Sequence, residues 1–159
     1  MQDEDFMRLA LAEAQQAAAE GETPVGAVIV RNGEVIASAH NRRETGKNAL
    51  YHAELLAIDA ACRKLGGWRL WECELFVTLE PCPMCAGAAI NARLRRVVYG
   101  ASDCKAGSCG TRINLFDVPY NHRPECVHGV LEKECAAELS RFFIDLRRRK
   151  KQEKERNGL

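Results

Sequence analysis

The chain contains 159 residues, of which 47% are hydrophobic and 28% charged. This length and composition are typical of one globular domain with one core, and no stretch approaches the roughly 18 apolar residues of a membrane span. The acidic start lacks the basic residues and apolar run of a secretory signal, so we expect a cytoplasmic protein with no membrane partner. The eight cysteines are then expected to be reduced thiols rather than a disulfide framework.

The charge is unevenly distributed, although the net charge is only +1. Residues 141–159 hold eight Lys/Arg and three Asp/Glu, so this segment carries +5 and the rest of the chain −4. A basic end on a nearly neutral protein is typical of contact with a polyanion, and also of a helix end that is simply solvated. The composition alone leaves both interpretations open.

Hydrophobic periodicity divides the chain into helices and strands. In chain order, the predicted elements are a helix over 3–20, strands over 25–30 and 35–39, a loop over 40–51, a helix over 52–65, a strand over 75–79, a helix over 83–92, a strand over 97–100, a loop over 101–124 with a helical turn near 113–116, a strand over 127–130 and a helix over 131–150. Asn32-Gly33 joins the first two strands and is a strong signal for a two-residue hairpin. The strand, helix and strand between 75 and 100 predict a parallel pair with a right-handed crossover.

These elements predict an α/β fold of three layers, α/β/α, in which a mixed sheet of about five strands has helices on both faces. One domain is expected over residues 1–150, followed by a basic, frayed C-terminal tail over 151–159. Open α/β sheets commonly bind ligands beside the carboxyl ends of their strands, so we expect the site to follow the strand at 75–79.

Four residues supply the donors of a catalytic zinc site. His52 and Glu54 open the helix at 52–65, and Cys82 and Cys85 lie later in the chain, with a proline on each side of Cys82. Cysteines three apart lie on one face of a helix, and a helix N-terminus favours the thiolate. Catalytic zinc takes three protein ligands and keeps a fourth position for water. His52, Cys82 and Cys85 therefore predict a Zn²⁺ site, with Glu54 left over for proton transfer.

Two other interpretations of these cysteines remain open at this point. A Cys-x-x-Cys pair in a cytosolic protein can be a thioredoxin-like redox pair, or half of a closed structural zinc site. Cys104 and Cys109 lie in a glycine-containing loop and are the candidates to complete such a closed site. The upstream His-x-Glu and the second proline favour the catalytic site.

Short segments spread over most of the chain form a recognisable set. They are Pro24-Val25-Gly26-Ala27, His40-Asn41, His52-Ala53-Glu54, Thr78 to Gly87, Asp103 to Gly107, Asn121-His122-Arg123 and Phe142-Phe143. The H-x-E and P-C-x-x-C patterns alone resemble the wider cytidine deaminase-like superfamily, which includes guanine, cytosine and riboflavin-pathway deaminases. With the later segments, the chain resembles the bacterial tRNA-specific adenosine deaminase family from about Pro24 to Arg147.

The resemblance implies a hydrolase that deaminates adenosine to inosine at the wobble position of a tRNA anticodon. It implies a homodimer with one Zn²⁺ per subunit, bound by His52, Cys82 and Cys85, and an anticodon stem-loop as partner. Glu54 is then expected to take a proton from water, pass it to N1 of the adenine ring and finally protonate the departing amine.

The resemblance also implies substrate contacts. Asn41 would hydrogen-bond the flipped adenine and Asp103 would contact the neighbouring nucleotide, although both residue types are also common in ordinary loop turns. Phe142 and Phe143 resemble aromatic residues near the anticodon loop, yet their helical spacing predicts that at least one lies in the core. Residues 48–51 read Asn-Ala-Leu-Tyr where family members often have Asp-Pro-Thr-Ala. This difference is expected to change the shape of the pocket rim and hence the finer substrate preference.

Two other functions stay open on the sequence. A deaminase of free guanine, cytosine or a nucleoside such as cytidine would share the zinc residues but would not need a basic C-terminal segment. A zinc-structured binding protein without turnover would need a fourth protein ligand, for which Cys104 and Cys109 are available.

Overall fold

The computed structural model describes residues 1–158, which form four α-helices and five β-strands. The helices are α1 (Asp3–Ala19), α2 (Ala53–Leu65), α3 (Pro83–Asn91) and α4 (Glu132–Arg156). The strands are β1 (Gly26–Arg31), β2 (Glu34–His40), β3 (Cys73–Leu79), β4 (Arg96–Ala101) and β5 (Glu125–Val127), and a 3₁₀ turn spans Leu115–Asp117. The strands form one sheet in the order β2-β1-β3-β4-β5.

The sheet is mixed. β1 is antiparallel to both β2 and β3, whereas β3, β4 and β5 are parallel to one another. Asn32 and Gly33 turn the chain between β1 and β2 with φ values of 51° and 81°, as a two-residue hairpin requires. Leu79 and Ala101 are paired at the carboxyl ends of β3 and β4. The segments that follow these two strands therefore start at the same edge of the sheet.

Side chains of the strands alternate between two hydrophobic cores, one on each face of the sheet. One core joins the sheet to α2 and α3 through Ala27, Ile29, Leu75, Val77, Val97, Ala57 and Ala89. The other joins it to α1 and α4 through Val28, Phe76, Val98, Phe6, Met7, Ala10 and Cys135. The sheet is therefore the middle layer of three, and it holds α2 and α3 together on one face.

The architecture confirms the predicted fold class, an α/β fold with a five-stranded mixed sheet and helices on both faces. The last strand lies slightly earlier than the predicted 127–130. Residues 125–127 pair in parallel with residues 96–98 of β4, and Gly129, with a φ of 80°, then turns the chain away from the sheet.

The C-terminal segment differs from the predicted frayed tail over 151–159. Residues 151–156 continue α4, because residues 132–157 contain no glycine or proline, and basic and acidic residues lie three or four positions apart near the end of the helix. Leu159 lies outside the described residues. Within residues 1–158, no helix is both long enough and apolar enough to cross a membrane.

His40, at the end of β2, ties the sheet to α1. Its Nδ1 lies 2.7 Å from Glu13 Oε2 and its Nε2 lies 3.0 Å from Glu20 Oε2. Partial burial by itself lowers the pKa of His40, but the hydrogen bonds to the two carboxylates outweigh it, so the pKa is raised above 6.5. The protonated ring therefore stabilises the folded chain.

We expect this contribution to depend on pH. Because the pKa is higher in the folded chain, the stabilisation is complete below about pH 6.5, the unfolded value, and is lost as the pH rises through the folded value. His40→Gln should then lower the free energy of unfolding more at about pH 6 than at about pH 8.5. Urea unfolding of both proteins measures the difference, and an equal loss at the two pH values would contradict the ion pairs.

Candidate active site

The three predicted metal ligands converge beyond the carboxyl end of β3. His52 Nδ1 lies 3.6 Å from Cys82 Sγ and 3.5 Å from Cys85 Sγ. The ligand atoms of the three residues all lie within 4.8 Å of one another. The structure thus brings together the imidazole and the two sulfur atoms that the sequence spacing predicted.

Two helix N-termini hold these donors. His52 is the N-cap residue of α2 and Cys82 the N-cap residue of α3, each with an extended backbone. Pro83 occupies the first turn of α3. Proline has no N–H group, but N–H groups in the first turn have no acceptor within the helix, so no hydrogen bond is lost there. Cys85 lies in the same turn, and its hydrogen bond with Cys82 is the main reason that the pKa of Cys82 is lowered to about 4. The arrangement therefore provides a thiolate ligand at neutral pH.

The donor set fits Zn²⁺. Zinc in catalytic sites takes three protein ligands and keeps one position for water, and one His with two Cys is such a set. Within residues 1–158, no fourth cysteine or histidine joins the cluster. Cys104 is exposed, and Cys109 packs into the core on the α2 and α3 face. Neither of them closes the site.

Glu54 lies beside the ligands and is only 4% exposed. It is in the first turn of α2, and its carboxyl group hydrogen-bonds with Cys85. Burial is the main reason that the pKa of Glu54 is raised to about 7. A carboxyl group with a pKa near neutrality both accepts and releases protons readily, which is what general acid–base catalysis requires.

A cavity of about 570 Å³ opens at this centre. It is lined by His52, Glu54 and Cys82, and also by the two predicted substrate contacts, Asn41 and Asp103. Its volume falls within the range of about 300–1,000 Å³ found for small-molecule sites, and it is large enough for one nucleoside.

Asn41 is 8% exposed and organises the loop after β2. Its Nδ2 donates to the carbonyl oxygen of Thr23 at 3.3 Å, and its Oδ1 accepts from the N–H of Arg43 at 3.2 Å. A side-chain amide has two N–H donors and two acceptor lone pairs, so each end retains capacity for another hydrogen bond. The structural role in the loop and a contact with a bound base are therefore compatible.

Asp103 forms a turn at the wall of the cavity. Its Oδ1 accepts from the N–H groups of Lys105 at 2.9 Å and Ala106 at 3.3 Å, as loop aspartates commonly do. The side chain is half-buried and lines the cavity. The structure thus shows the turn, and it also places Asp103 at the wall of the cavity.

Residues 48–51, where the chain departs from the family pattern, are not among the residues that line the cavity. The Tyr51 ring packs against Gly46 and leaves no room for a Cβ atom there. The carbonyl oxygen of Tyr51 accepts the N–H of Arg42 at 3.0 Å. The departure therefore shapes the interior of the loop rather than the wall of the pocket.

The two C-terminal phenylalanines are more exposed than helical periodicity predicted. Phe142 is half-buried and Phe143 is 40% exposed, so the prediction that at least one lies in the core is wrong. The fully buried apolar contact of α4 is made earlier in the helix, by Cys135. Phe143 instead lines the cavity together with Leu139.

Sequence reasoning also missed three charged residues at the cavity. Arg43 and Lys105 are exposed cations that line it, and no spacing pattern in the sequence links them to the site. Glu80 lines it as well, with a carboxylate that is hydrogen-bonded to residues 103–111. The signals that the sequence offered for Glu80 are its position next to Pro81-Cys82 and its place in the segment Thr78 to Gly87.

Comparisons with known proteins agree with this geometry. Residues 1–101 match the family described as the cytidine and deoxycytidylate deaminase zinc-binding region. The chain is 54% identical to the tRNA-specific adenosine deaminase of Bacillus subtilis over 151 residues, 94% of each protein. It is 46% identical to the protein of the same name from Aquifex aeolicus over 148 residues, 92% of this chain and 97% of that protein.

A solved structure described under A-to-I editing by tRNA:A34 deaminases at the wobble position of transfer RNA superimposes with a TM-score of 0.83. It is 44% identical in sequence and covers 85% of this chain and 99% of its own. The zinc-binding region matched by residues 1–101 contains His52, Cys82 and Cys85, which favours a metal site over a redox pair. The chain therefore belongs to the tRNA-specific adenosine deaminase family, within the proteins that share the cytidine and deoxycytidylate deaminase zinc-binding region.

Proposed function

We propose that this chain is a zinc-dependent hydrolase that converts adenosine to inosine at the wobble position of a tRNA anticodon. The observation that carries the proposal is the placement of Glu54, which is buried beside a three-donor metal set at a cavity that admits a nucleoside. The names of its relatives supply the substrate class. We propose residues 1–150 as the deaminase domain, beyond which α4 continues over residues 151–156.

The roles of the residues follow from their positions. His52, Cys82 and Cys85 would hold one zinc ion per chain, and zinc held there supplies a Lewis acid that lowers the pKa of a water at the fourth position. Glu54 would accept a proton from the attacking water and deliver it to N1 of the adenine ring as the water adds to C6. The carboxylate would then take the proton of the new C6 hydroxyl group and give it to the amine, which leaves as ammonia when the C6–N bond breaks.

Recognition of the base is assigned to the loops around the cavity. We propose that Asn41 hydrogen-bonds the adenine ring with the capacity left on its amide, and that Asp103 contacts the neighbouring nucleotide. The reacting base has to leave the stack to reach a buried centre, and anticodon loops present bases that are already partly unstacked. The exposed cations Arg43 and Lys105 at the cavity suit an RNA backbone better than a free base.

We also propose a homodimer, in the cytoplasm, where tRNA functions. Ile113, Val118 and Tyr120, around the 3₁₀ turn, are 52%, 39% and 54% exposed in a single chain. Covering such side chains with a second copy removes apolar surface from water. Sedimentation equilibrium checks the assembly, and a mass equal to the 17.7 kDa of one chain would contradict it.

The basic end of α4 is expected to contact the RNA backbone. α4 lines the cavity through Leu139 and Phe143 and continues into exposed basic residues, among them Arg147, Arg148 and Arg149. Each neutralised phosphate releases counterions, so the logarithm of affinity falls with the logarithm of salt by about 0.7 per contact on single-stranded RNA. Changing the three arginines to glutamine should weaken tRNA binding and make this slope shallower by about 1 to 2, with zinc content unchanged.

A matched control removes the same charge elsewhere. Arg63, Lys64 and Arg69 are exposed at the far end of α2 from His52 and in the loop that follows α2. Their change to glutamine alters net charge equally and should leave affinity and salt slope close to those of the parent. Equal effects of both triple variants would show that only net charge matters and would contradict a contact by α4.

The function itself is tested by comparing substrates. The purified, zinc-loaded chain should deaminate a stem-loop RNA with adenosine at the wobble position far faster than free guanine, cytosine or cytidine. Efficient turnover of a free base with none on the RNA would identify the small-molecule deaminase instead. If the chain binds RNA but turns over none of these compounds, it is a zinc-structured binding protein rather than an enzyme.

A further inference from the structure

Glu80 is a buried carboxylate to which the proposed reaction assigns no step. It is 2% exposed and lies between β3 and α3, just before Pro81 and the ligand Cys82. Its Oε1 accepts hydrogen bonds from the N–H of Asp103 at 3.1 Å and from the hydroxyl of Thr111. Its Oε2 accepts from the N–H of Cys109 at 3.0 Å and of Thr111 at 3.1 Å. All four donors belong to residues 103–111, here called the 103–111 loop.

The surroundings fix the loop and the carboxylate to each other. Two carboxylate oxygens have about four lone-pair sites, and the four donors occupy them. Gly107 lies against the same group, since a Cβ atom there would be 2.5 Å from both Glu80 Cδ and the carbonyl oxygen of Asp103. The N–H of Ser108 also donates to the carbonyl oxygen of Pro81 at 2.9 Å. The 103–111 loop is therefore fastened to the segment that carries Cys82.

The first residues of this loop form a wall of the cavity. Asp103, Cys104, Lys105 and Ala106 line it, and the side chains of Cys104 and Lys105 are exposed. Substrate atoms outside the buried centre therefore meet this wall. Because its own oxygens are already occupied, Glu80 has no acceptor left for a substrate proton. Any effect of Glu80 on the substrate has to pass through the loop.

We propose that Glu80 is a positioning residue, which sets the affinity of the site for the anticodon loop by holding the 103–111 loop in place. The inference rests on the proposed function, because its substrate is the tRNA of that proposal. If the 103–111 loop is already ordered in the free protein, RNA binding does not have to pay the entropy cost of ordering it. Glu80 therefore increases the affinity for RNA by keeping this loop ordered. The chemical step remains with Glu54 on α2.

Glu80→Gln separates these two effects. A glutamine offers one oxygen and one NH₂ group. The Thr111 hydroxyl can turn to accept from the NH₂ group, but at least one of the three backbone N–H donors would then face another donor. We expect KM for a wobble-adenosine stem-loop to rise about tenfold, because buried N–H groups left without acceptors are costly, while kcat stays within about threefold. A lower kcat at an unchanged KM, or kinetics equal to the parent, would overturn the inference.

Amide hydrogen exchange reports on the loop without relying on activity. In Glu80→Gln, peptides from the 103–111 loop should exchange about tenfold faster, and peptides from α2 should exchange as in the parent. Glu22→Gln is the matched control, because Glu22 is fully buried and accepts the N–H groups of Glu44 and Thr45. It should accelerate exchange around residues 44–45 and leave the 103–111 loop unchanged. Uniform acceleration across the chain in Glu80→Gln would show general destabilisation and overturn the inference.

A double-mutant cycle with Lys105→Ala tests whether the effect passes through the wall. If Glu80 places the wall, truncating Lys105 should raise KM in the parent and have less than half that effect on log KM in Glu80→Gln. If the effects of the two substitutions on log KM are additive, Glu80 does not act through the wall that contains Lys105. If Glu80→Gln does not fold, Thr111→Val removes one of the four donors, and Thr111→Ser restores it. The amide exchange rate of the 103–111 loop and KM should then rise in Thr111→Val and return to the parent values in Thr111→Ser. Equal values in the parent and both variants would overturn the inference.

The same measurements distinguish the two proposals. If the parent does not act on tRNA while the 103–111 loop exchanges faster in Glu80→Gln, the proposed function fails and the loop-holding role of Glu80 stands. If the parent is active on tRNA and Glu80→Gln matches it in KM and exchange, the proposed function stands and this inference fails.

Discussion

Replacing Glu54 by glutamine is expected to lower kcat by about a hundredfold or more, the usual range for loss of a general acid–base group. Glutamine keeps the size of the side chain but cannot take the proton from water or return it to the ring and the amine. Zinc content should stay at the parent level, because His52, Cys82 and Cys85 are untouched. Inosine formation on a stem-loop RNA measures the rate, and metal analysis of the same sample measures the zinc.

Stability provides a second check on Glu54→Gln. Burial raises the pKa of Glu54 to about 7, so the folded chain disfavours the charged carboxylate. A neutral isostere removes that cost, and the Tm of the variant should equal or exceed that of the parent. The matched control is Glu72→Gln, which removes an exposed carboxylate from the other end of β3 and should leave kcat unchanged. Near-normal turnover in Glu54→Gln would mean that another group transfers the protons.

Loss of either cysteine ligand should have the second large effect, on metal content and stability together. Cys82→Ala or Cys85→Ala leaves two protein ligands, and the free energy of metal binding then no longer contributes to the folded state. We expect zinc to fall to a small fraction of one ion per chain and the Tm to drop by roughly 10 °C, which corresponds to a few kcal/mol for a chain of this size. Metal analysis and thermal unfolding measure both.

Cys73→Ala is the matched control for the cysteine variants. Cys73 is also buried, at 1% exposure, but it lies at the start of β3 and outside the ligand cluster. The Cys73→Ala variant should be slightly less stable, because core packing is lost, and should keep its zinc. A chelator should lower the Tm of the parent and of Cys73→Ala but not that of Cys82→Ala. Full zinc occupancy in both ligand variants would contradict the site.

Much of the site could be predicted because its determinants are local. The spacing of Cys82 and Cys85 places both sulfur atoms in one helical turn, and His52 and Glu54 open one helix. Asn32-Gly33 likewise specifies its own turn. These features depend on residues a few positions apart, for which the geometry of helices and hairpins is known in advance.

The parts that were missed depend on contacts between distant segments. Glu80 finds its donors in residues 103–111, and no local pattern links the two. Phe143 repeats at the spacing of a core residue, but periodicity cannot distinguish a face that packs on the sheet from one that borders a cavity. Charge composition predicts an end of α4 that is too early, because it indicates solvation and a solvated segment can still be helical.

The pocket therefore has two kinds of determinants. In the proposed function, the buried centre of His52, Glu54, Cys82 and Cys85 would provide the chemistry, and it would serve any nucleobase with an exocyclic amine that reached it. The loops after β2 and β4 form walls around that centre, and they carry Asn41 and Asp103, the groups proposed to contact the substrate. Fold and metal chemistry thus predict deamination, whereas the substrate has to be argued from the walls and from the basic end of α4.

The most direct test of the central claim is the position of inosine in tRNA treated with the purified, zinc-loaded chain. Total tRNA that lacks inosine is incubated with the parent or with Glu54→Gln and then sequenced, and free guanine, cytosine and cytidine are assayed in parallel. We predict inosine at the wobble adenosine with the parent alone, and kcat/KM values for the free compounds lower by about a thousandfold or more. Unchanged tRNA together with rapid deamination of a free base would contradict the account.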